Sequence, residues 1–269
     1  MIIQITSDLH AGIVKQQFID LHLKMAKDST NPDILIVAGD IGECINGTKL
    51  FEKCIASLTE LFKTVLVIPG NHDLWTIDGN SLDIFNNVLP KICRDYGAFW
   101  LEDENFVTGN LAIVGSYLHY DYSAIRIIPA VKHLPKEFFI VHKKSIINDG
   151  RYLKINDVGF ANKIGEQFKN RLLTAQNDDK IKHIIVVTHV PCIETQLEVK
   201  SDYNYSLGTV FFANVTYQDT ILGCSKVSHV VSGHTHVGRR ASIPKDGGEI
   251  EVVCLDSDYG KFGSYTINI

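Results

Sequence analysis

The chain has 269 residues, 45% of them hydrophobic and 21% charged, and a net charge of −5. This balance excludes a disordered chain and a collagen-like or coiled-coil fibre, and the mild acidity excludes coating of nucleic acid by bulk charge. With no run of 18 apolar residues, no signal-peptide pattern in Met1–Asp8 and six scattered cysteines without a Cys-x-x-Cys pair, the expectation is a cytoplasmic protein with reduced thiols and no transmembrane helix.

The first apolar run, Ile2 to Ile5, ends in Ser7-Asp8-Leu9-His10-Ala11-Gly12. The second, Ile34 to Ala38, ends in Gly39-Asp40, and the third, Val65 to Ile68, in Pro69-Gly70-Asn71-His72-Asp73. Runs of this length, rich in β-branched residues, predict strands buried on both faces. Amphipathic stretches at 15–27, 48–62 and 81–95 lie between or after them. Alternating strand and helix patterns predict βαβ units and a largely parallel sheet. Residues 116–154 do not fit a βαβ step. They open with Tyr117, His119, Tyr120 and Tyr122, and the part from Pro129 to Lys154 carries a net +4, which leaves the rest of the chain at −9. One domain over 1–269 with an insertion or lid around 116–154 is therefore expected. His183 to Val187 then leads into Thr188-His189, and His229 to Val231 into Ser232-Gly233-His234-Thr235-His236. Ile250 to Leu255 and Gly263 to Ile269 read as paired strands around Asp256 to Gly260.

Five strand ends thus carry Asp8 and His10; Asp40; Asn71, His72 and Asp73; His189; and His234 and His236. In an α/β sheet the loops at the carboxyl ends of strands converge on one edge, where ligands bind. Carboxylates with imidazoles form a ligand set for first-row metals. Asp-x-His and His-x-His put two side chains on one side of an extended segment. Taken singly, any of these histidines is more often an ordinary loop or core residue, and any of the aspartates a helix cap. Their coincidence argues otherwise, since so many unpaired His and Asp at one edge would be destabilising without a cation.

Asp8-x-His10, Gly39-Asp40-x-x-Glu43, Gly70-Asn71-His72-Asp73, His189 and Gly233-His234-Thr235-His236 resemble, in order and spacing, the motifs of the calcineurin-like metallophosphoesterase superfamily. The resemblance runs from residue 8 to residue 236. It implies an α/β fold, a four-layer αββα sandwich of two mixed β-sheets flanked by helices (the metallo-dependent phosphatase fold). It also implies two divalent or trivalent metal ions, with Mn, Fe or Zn favoured. By analogy Asp8, His10, Asp40 and His236 hold one ion, and Asp40 bridges to a second held by Asn71, His189 and His234. His72 takes the place of the family's non-ligand histidine. Glu43 stands where many members have aspartate. The phosphoprotein-phosphatase signatures Gly-Asp-x-Val-Asp-Arg-Gly and Gly-Asn-His-Glu are absent.

The expected chemistry is hydrolysis of a phosphodiester or phosphomonoester by a metal-bridging hydroxide attacking phosphorus in line. His72 would protonate the leaving alkoxide or steady the phosphoryl oxygens. Asp73 either orients that imidazole or caps the following helix. Tyr117, His119, Tyr120 and Arg126 are candidates for a substrate-binding lid, because long irregular insertions are often functional. Trp75 reads equally as a stacking surface or as packing, and Cys192 as a buried thiol. The expected partner is a small phosphate ester, not a membrane. A nuclease of the same superfamily is the alternative, disfavoured because only 129–154 is basic and no further domain follows Ile269. A non-catalytic metal-binding scaffold carries little weight with every motif position intact.

Overall fold

The computed structural model describes all 269 residues. Its first half alternates β1 (Ile2–Thr6), α1 (Gln16–Ser29), β2 (Ile34–Ala38), α2 (Lys49–Leu61) and β3 (Val65–Ile68). Helices α3 (Ser81–Asp83) and α4 (Leu89–Asp95) follow, joined by a π-type turn over Ile84–Val88, and then the short strands β4 (Phe99–Trp100) and β5 (Phe106–Thr108). The second half holds β6 (Leu111–Ser116), α5 (Lys136–Ile146), α6 (Asp149–Tyr152), α7 (Asp157–Asn177), β7 (His183–Thr188), α8 (Tyr203–Thr209), α9 (Gln218–Gly223), β8 (Val227–Ser232), β9 (Arg239–Lys245), β10 (Gly248–Cys254) and β11 (Ser264–Asn268). The expected helices at 15–27 and 48–62 stand within two residues of α1 and α2.

The strands form two mixed sheets, ordered β11-β1-β2-β3-β4 and β5-β6-β7-β8-β10-β9. Within each, the central strands run parallel, and only β11, β5 and β9 pair antiparallel at the edges. Side chains on the second sheet alternate between two cores, as period-2 geometry requires. Ile113, Ile185, Val187, Val231 and Val253 belong to the cluster shared with the first sheet. Ala112, Val114, Ile184, Val186, Val230 and Val252 pack with Phe168 and Leu172 of α7 and Ile221 of α9. The fold is therefore the expected αββα sandwich, with its largest core between the sheets.

Two expectations are corrected. Ile250–Leu255 and Gly263–Ile269 do not pair with each other. β10 joins β8 and β9, whereas β11 crosses to the other sheet and closes on β1, with Ile3 opposite Ile267. A local hairpin would leave the β1 edge open, and unpaired edges are costly. Strand β6, buried along its whole length, adds a central strand beyond the expected set. Unlike the others it ends in Gly115-Ser116-Tyr117, with no metal-type motif to mark it.

At the seam between the sheets, the Glu102 side chain is almost fully buried; it accepts hydrogen bonds from Ser116 Oγ (3.0 Å) and the Tyr117 amide and lies 4.0 Å from the Arg171 guanidinium. Burial outweighs these partners and pushes its carboxyl from an ordinary 4.5 up to about 7. A carboxyl whose folded value is raised stabilises the fold fully below its unfolded value and loses that contribution as pH climbs through the folded value. Wild type is therefore expected to lose on the order of 3 kcal/mol relative to Glu102→Gln between pH 5 and 8. Paired thermal melts across that range check this; a difference independent of pH would refute it.

Candidate metal centre

The loops after β1, β2, β3, β7 and β8 meet at one end of both sheets, laced by backbone hydrogen bonds. Asp8 N donates to Gly39 O (3.0 Å), His10 N to Asp40 O (2.9 Å), and Gly233 N to His189 O (3.1 Å). The chain is strained there. Of eight non-glycine residues with positive φ, five are Asp8, His10, Asp40, His234 and His236. Asp and His tolerate this region better than most residues. Even so, such concentration is typical of sites whose geometry outranks backbone comfort. Gly70 is required by close approach, since a Cβ there would strike the Asp40 carboxylate, and one at Gly233 would lie 2.5 Å from Asp8 Oδ2.

The carboxylates and imidazoles converge in overlapping groups: Asp8 with His10 and His236, His10 with Asp40 and His72, and Asp40 with His189 and His234. Asp40 sits at the centre. Its Oδ1 accepts from His72 N (2.9 Å), leaving Oδ2 at 3.4 Å from His189 Nε2 and 3.9 Å from both His10 Nε2 and His72 Nε2. Burial opposes its ionisation, yet the positive charges of His189 and His72 hold its carboxyl well below the usual range. The same balance works in reverse on the imidazoles. Burial disfavours their charge, but Asp40 raises both His72 and His189 to about 9. His234, half-buried beside His189, is instead pushed down to about 4 by its loss of contact with water and by the His189 charge.

Donor chemistry tests whether the site fits metal ions. Glu43 Oε1 faces His10 Nδ1 (3.3 Å), and Asp258 Oδ1 faces His236 Nδ1 (3.3 Å). In the neutral ring each carboxylate favours the proton on Nδ1, which leaves the lone pair on Nε2. Those two Nε2 atoms point at each other 3.2 Å apart. A second pair repeats the pattern. His189 Nδ1 donates to Ala38 O (2.8 Å), and its Nε2 faces Asn71 Oδ1 at 3.2 Å. Once the rings give up their Nε2 protons, as metal binding requires, these become acceptor–acceptor contacts, which a cation between them relieves. One such contact lies on each side of Asp40. His234 Nε2 faces Phe211 O (3.1 Å), which leaves Nδ1 as its free donor atom. The residues fit a pair of metal ions.

His72 is positioned differently from the expectation. Its Nδ1 is bonded to Glu43 Oε1, and its ring stacks on Trp75 (3.6 Å between centroids, 27° between planes). Asp73 does not touch the imidazole. Fully buried, it accepts from the amides of Ile41 (3.0 Å), Gly42 (2.8 Å) and Gly70 (2.8 Å), pinning the two loops that carry Asp40 and Asn71. The carboxylate that meets the His72 imidazole is Glu43, not Asp73. Trp75 stacks on His72 and is 7% exposed, so its main role is packing and only a small part of it reaches the cavity. Cys192 is a buried thiol, pushed up to about 12 by burial.

The substrate-lid expectation is also corrected. Tyr117, His119 and Tyr120 are fully buried. Tyr117 OH donates to His119 Nδ1 (2.8 Å), whose Nε2 donates to Asp157 Oδ1 (2.9 Å), and Tyr120 OH donates to Asp149 Oδ2 (2.8 Å). Arg126 is exposed and bonds Val215 O (2.9 Å). None of the four lines the cavity at the centre. Leu118 and Tyr122 adopt left-handed turns that fold this segment back into the interior. The later, basic part of the insertion borders the cavity instead, through residues 144–149 and Arg151. Lys143 is buried against Asp157 (2.6 Å), so Lys144 and Arg151 are the exposed cations there. The cavity measures about 460 Å³ and has Asp40, Asn71, His72, His234 and His236 at its base, with Trp75, Phe211, Phe212 and Tyr259 as aromatic walls. Sequence reading missed Asp149, Asp258 and Tyr259. For the last two, the Asp258-Tyr259-Gly260 turn signal at a strand crossover was the available clue.

The family model of the calcineurin-like phosphoesterases matches residues 1–238. An [acyl-carrier-protein] phosphodiesterase, PptH, of Mycobacterium tuberculosis (strain ATCC 25618 / H37Rv) is 33% identical over 125 residues, which cover 44% of this chain and 37% of that protein. The chain thus aligns with little more than a third of that relative's length. Among solved structures, the phosphopantetheinyl hydrolase PptH from Mycobacterium tuberculosis superposes with a TM-score of 0.70 at 22% identity, covering 98% of this chain and 95% of that one. A dimetal phosphatase from Danio rerio gives a TM-score of 0.58 at 13% identity, covering 98% and 91%. The protein TT1561 of Thermus thermophilus gives 0.57 at 11% identity, covering 99% and 98%. The chain belongs to the calcineurin-like phosphoesterase family.

Proposed function

We propose that this calcineurin-like phosphoesterase hydrolyses a phosphodiester as a single domain, with two metal ions held by Asp8, His10, Asp40 and His236 and by Asp40, Asn71, His189 and His234. The observation that carries this reading is the convergence of two groups of ligand-type atoms, Asp8 with His10 and His236 and Asp40 with His189 and His234, with His10 Nε2 and His189 Nε2 at 3.9 and 3.4 Å from the shared Asp40 Oδ2. Bound ions at such a centre supply Lewis acidity toward phosphoryl oxygens and make water a nucleophile near neutral pH.

The chain's own residues do the rest. Glu43 holds the His72 ring through Nδ1, which leaves Nε2, 3.9 Å from Asp40 Oδ2, at the base of the cavity. Nε2 is therefore the donor to the leaving alkoxide. Asp73 fixes the backbone of both loops that present Asp40 and Asn71. Lys144 and Arg151 draw an anionic ester to the rim, and the aromatic walls accept an organic substituent. An ester with two substituents suits these two surfaces better than a monoester, and the name of the Mycobacterium relative makes a phosphopantetheine diester on an acyl carrier protein the first natural candidate. Mn, Fe and Zn all suit the N/O donor set.

The test is turnover of the Mn²⁺-, Fe²⁺- or Zn²⁺-loaded protein on p-nitrophenyl phosphate, bis-p-nitrophenyl phosphate, cyclic nucleotides, single-stranded DNA and phosphopantetheinylated acyl carrier protein. Cleavage of diesters well above the monoester, without DNA cleavage, is expected. Faster cleavage of DNA would establish the nuclease instead, and no turnover on any substrate would overturn the reading.

A further inference from the structure

The insertion is tied to the metal centre by one buried carboxylate. Asp149, at the start of α6 and 3% exposed, accepts three hydrogen bonds from side chains. Its Oδ1 receives Asn71 Nδ2 (2.9 Å) and Trp75 Nε1 (2.7 Å), and its Oδ2 receives Tyr120 OH (2.8 Å). The nearby buried cation, Lys143, is engaged elsewhere, with Asp157.

The Asn71 contact decides a question of orientation. The two ends of a carboxamide have nearly the same shape and differ only in what they bond. In the neutral, metal-competent ring, where the Nδ1 proton goes to Ala38 O, the lone pair on His189 Nε2 would be satisfied by the NH₂ end of Asn71. The flipped amide would then occupy the metal position with a donor and abolish the ligand. Asp149 opposes that flip, because its carboxylate would face the amide oxygen, a repulsion between two acceptors in a buried setting. With Asp149 present, the NH₂ end is held outward and Oδ1 faces His189 at 3.2 Å. The same Oδ1 of Asp149 holds Trp75 against the His72 ring.

We infer that Asp149 is a positioning residue that locks Asn71 in the orientation able to bind metal, and so makes the second ion site depend on the seating of α6. This rests on the two-metal reading proposed above. Only the Asn71 side of the centre is affected, because the three side-chain bonds of Asp149 go to Asn71, Trp75 and Tyr120, and none to Asp8, His10 or His236.

Calorimetric titration of Mn²⁺ into chelator-stripped protein tests it without recourse to activity. Wild type is expected to take two ions. Asp149→Leu, which removes the acceptor facing Asn71 Nδ2, is expected to take the first as wild type does and the second 10–100-fold more weakly, the usual loss when a partner of a metal ligand is removed. The exchange variant Asn71→Asp/Asp149→Leu moves the carboxylate to position 71, where two equivalent oxygens leave no orientation to lock. It is expected to regain the second site to within about threefold of wild type, a rescue that a merely structural role of Asp149 would not produce. Should the single variant fail to fold, the exchange variant alone decides: two tight sites support the inference, and one tight and one weak site overturns it. Wild-type affinities in the folded single variant would also overturn it. Uptake of no ion by wild type would instead overturn the two-metal reading itself.

Discussion

Asp40→Asn is expected to lose metal and turnover together, with ion affinity at least ~10²-fold weaker and kcat/KM down by about 10³-fold or more. Asp40 is 1% exposed, and its Oδ2 is the carboxylate oxygen shared by both halves of the centre. In the variant, the amide oxygen would still accept from the His72 amide, as Oδ1 now does. An NH₂ group would then face His10 and His189. That replaces a charged acceptor common to two ions with a neutral donor, and like-charged cations lose the anion that lets them sit close together. Metal analysis of the purified variant and turnover on a diester check this. A variant retaining two ions and full activity would sink the assignment of the centre.

His72→Asn is expected to separate what Asp40→Asn joins. Both ions should remain, while kcat falls about 10²- to 10⁴-fold, the range associated with removing a general acid. The geometry groups His72 with His10 and Asp40 as closely as a ligand would be, so retention of metal is the decisive readout. Proton donation makes a second demand. The loss should be large for an alkyl alcohol leaving group and small for p-nitrophenolate, which departs without a proton. Glu43→Gln should fall between wild type and His72→Asn, because it leaves the imidazole in place but removes the carboxylate that raises and orients it. Equal losses on good and poor leaving groups would point to phosphate binding instead of acid catalysis.

Much of this centre is legible from local pattern. A β-branched run followed by Asp, Asn or His marks a strand and what its end presents, and five such junctions imply a common edge because parallel strands end together. The supporting residues are not legible in the same way. Asp149 lies in an irregular stretch with no period to read, and nothing local distinguishes it from a surface aspartate. Asp73 suggests a partner for its neighbour His72, whereas it reaches across to the loop after β2. Tyr117, His119 and Tyr120 suggest a lid because aromatic residues after a strand also describe a binding wall; two left-handed turns, at Leu118 and Tyr122, send them inward instead.

The sequence by itself determined the fold class, the edge at which the chemistry gathers and the residue types that could hold ions there, since strand periodicity and ligand chemistry are properties of short segments. Only the tertiary structure decided which atom of each side chain faces the centre, which carboxylate holds His72, and which part of the insertion borders the cavity. Those depend on contacts between residues 29 to 226 positions apart. Their geometry comes from packing two sheets face to face, and no local pattern encodes the distance between one loop and another.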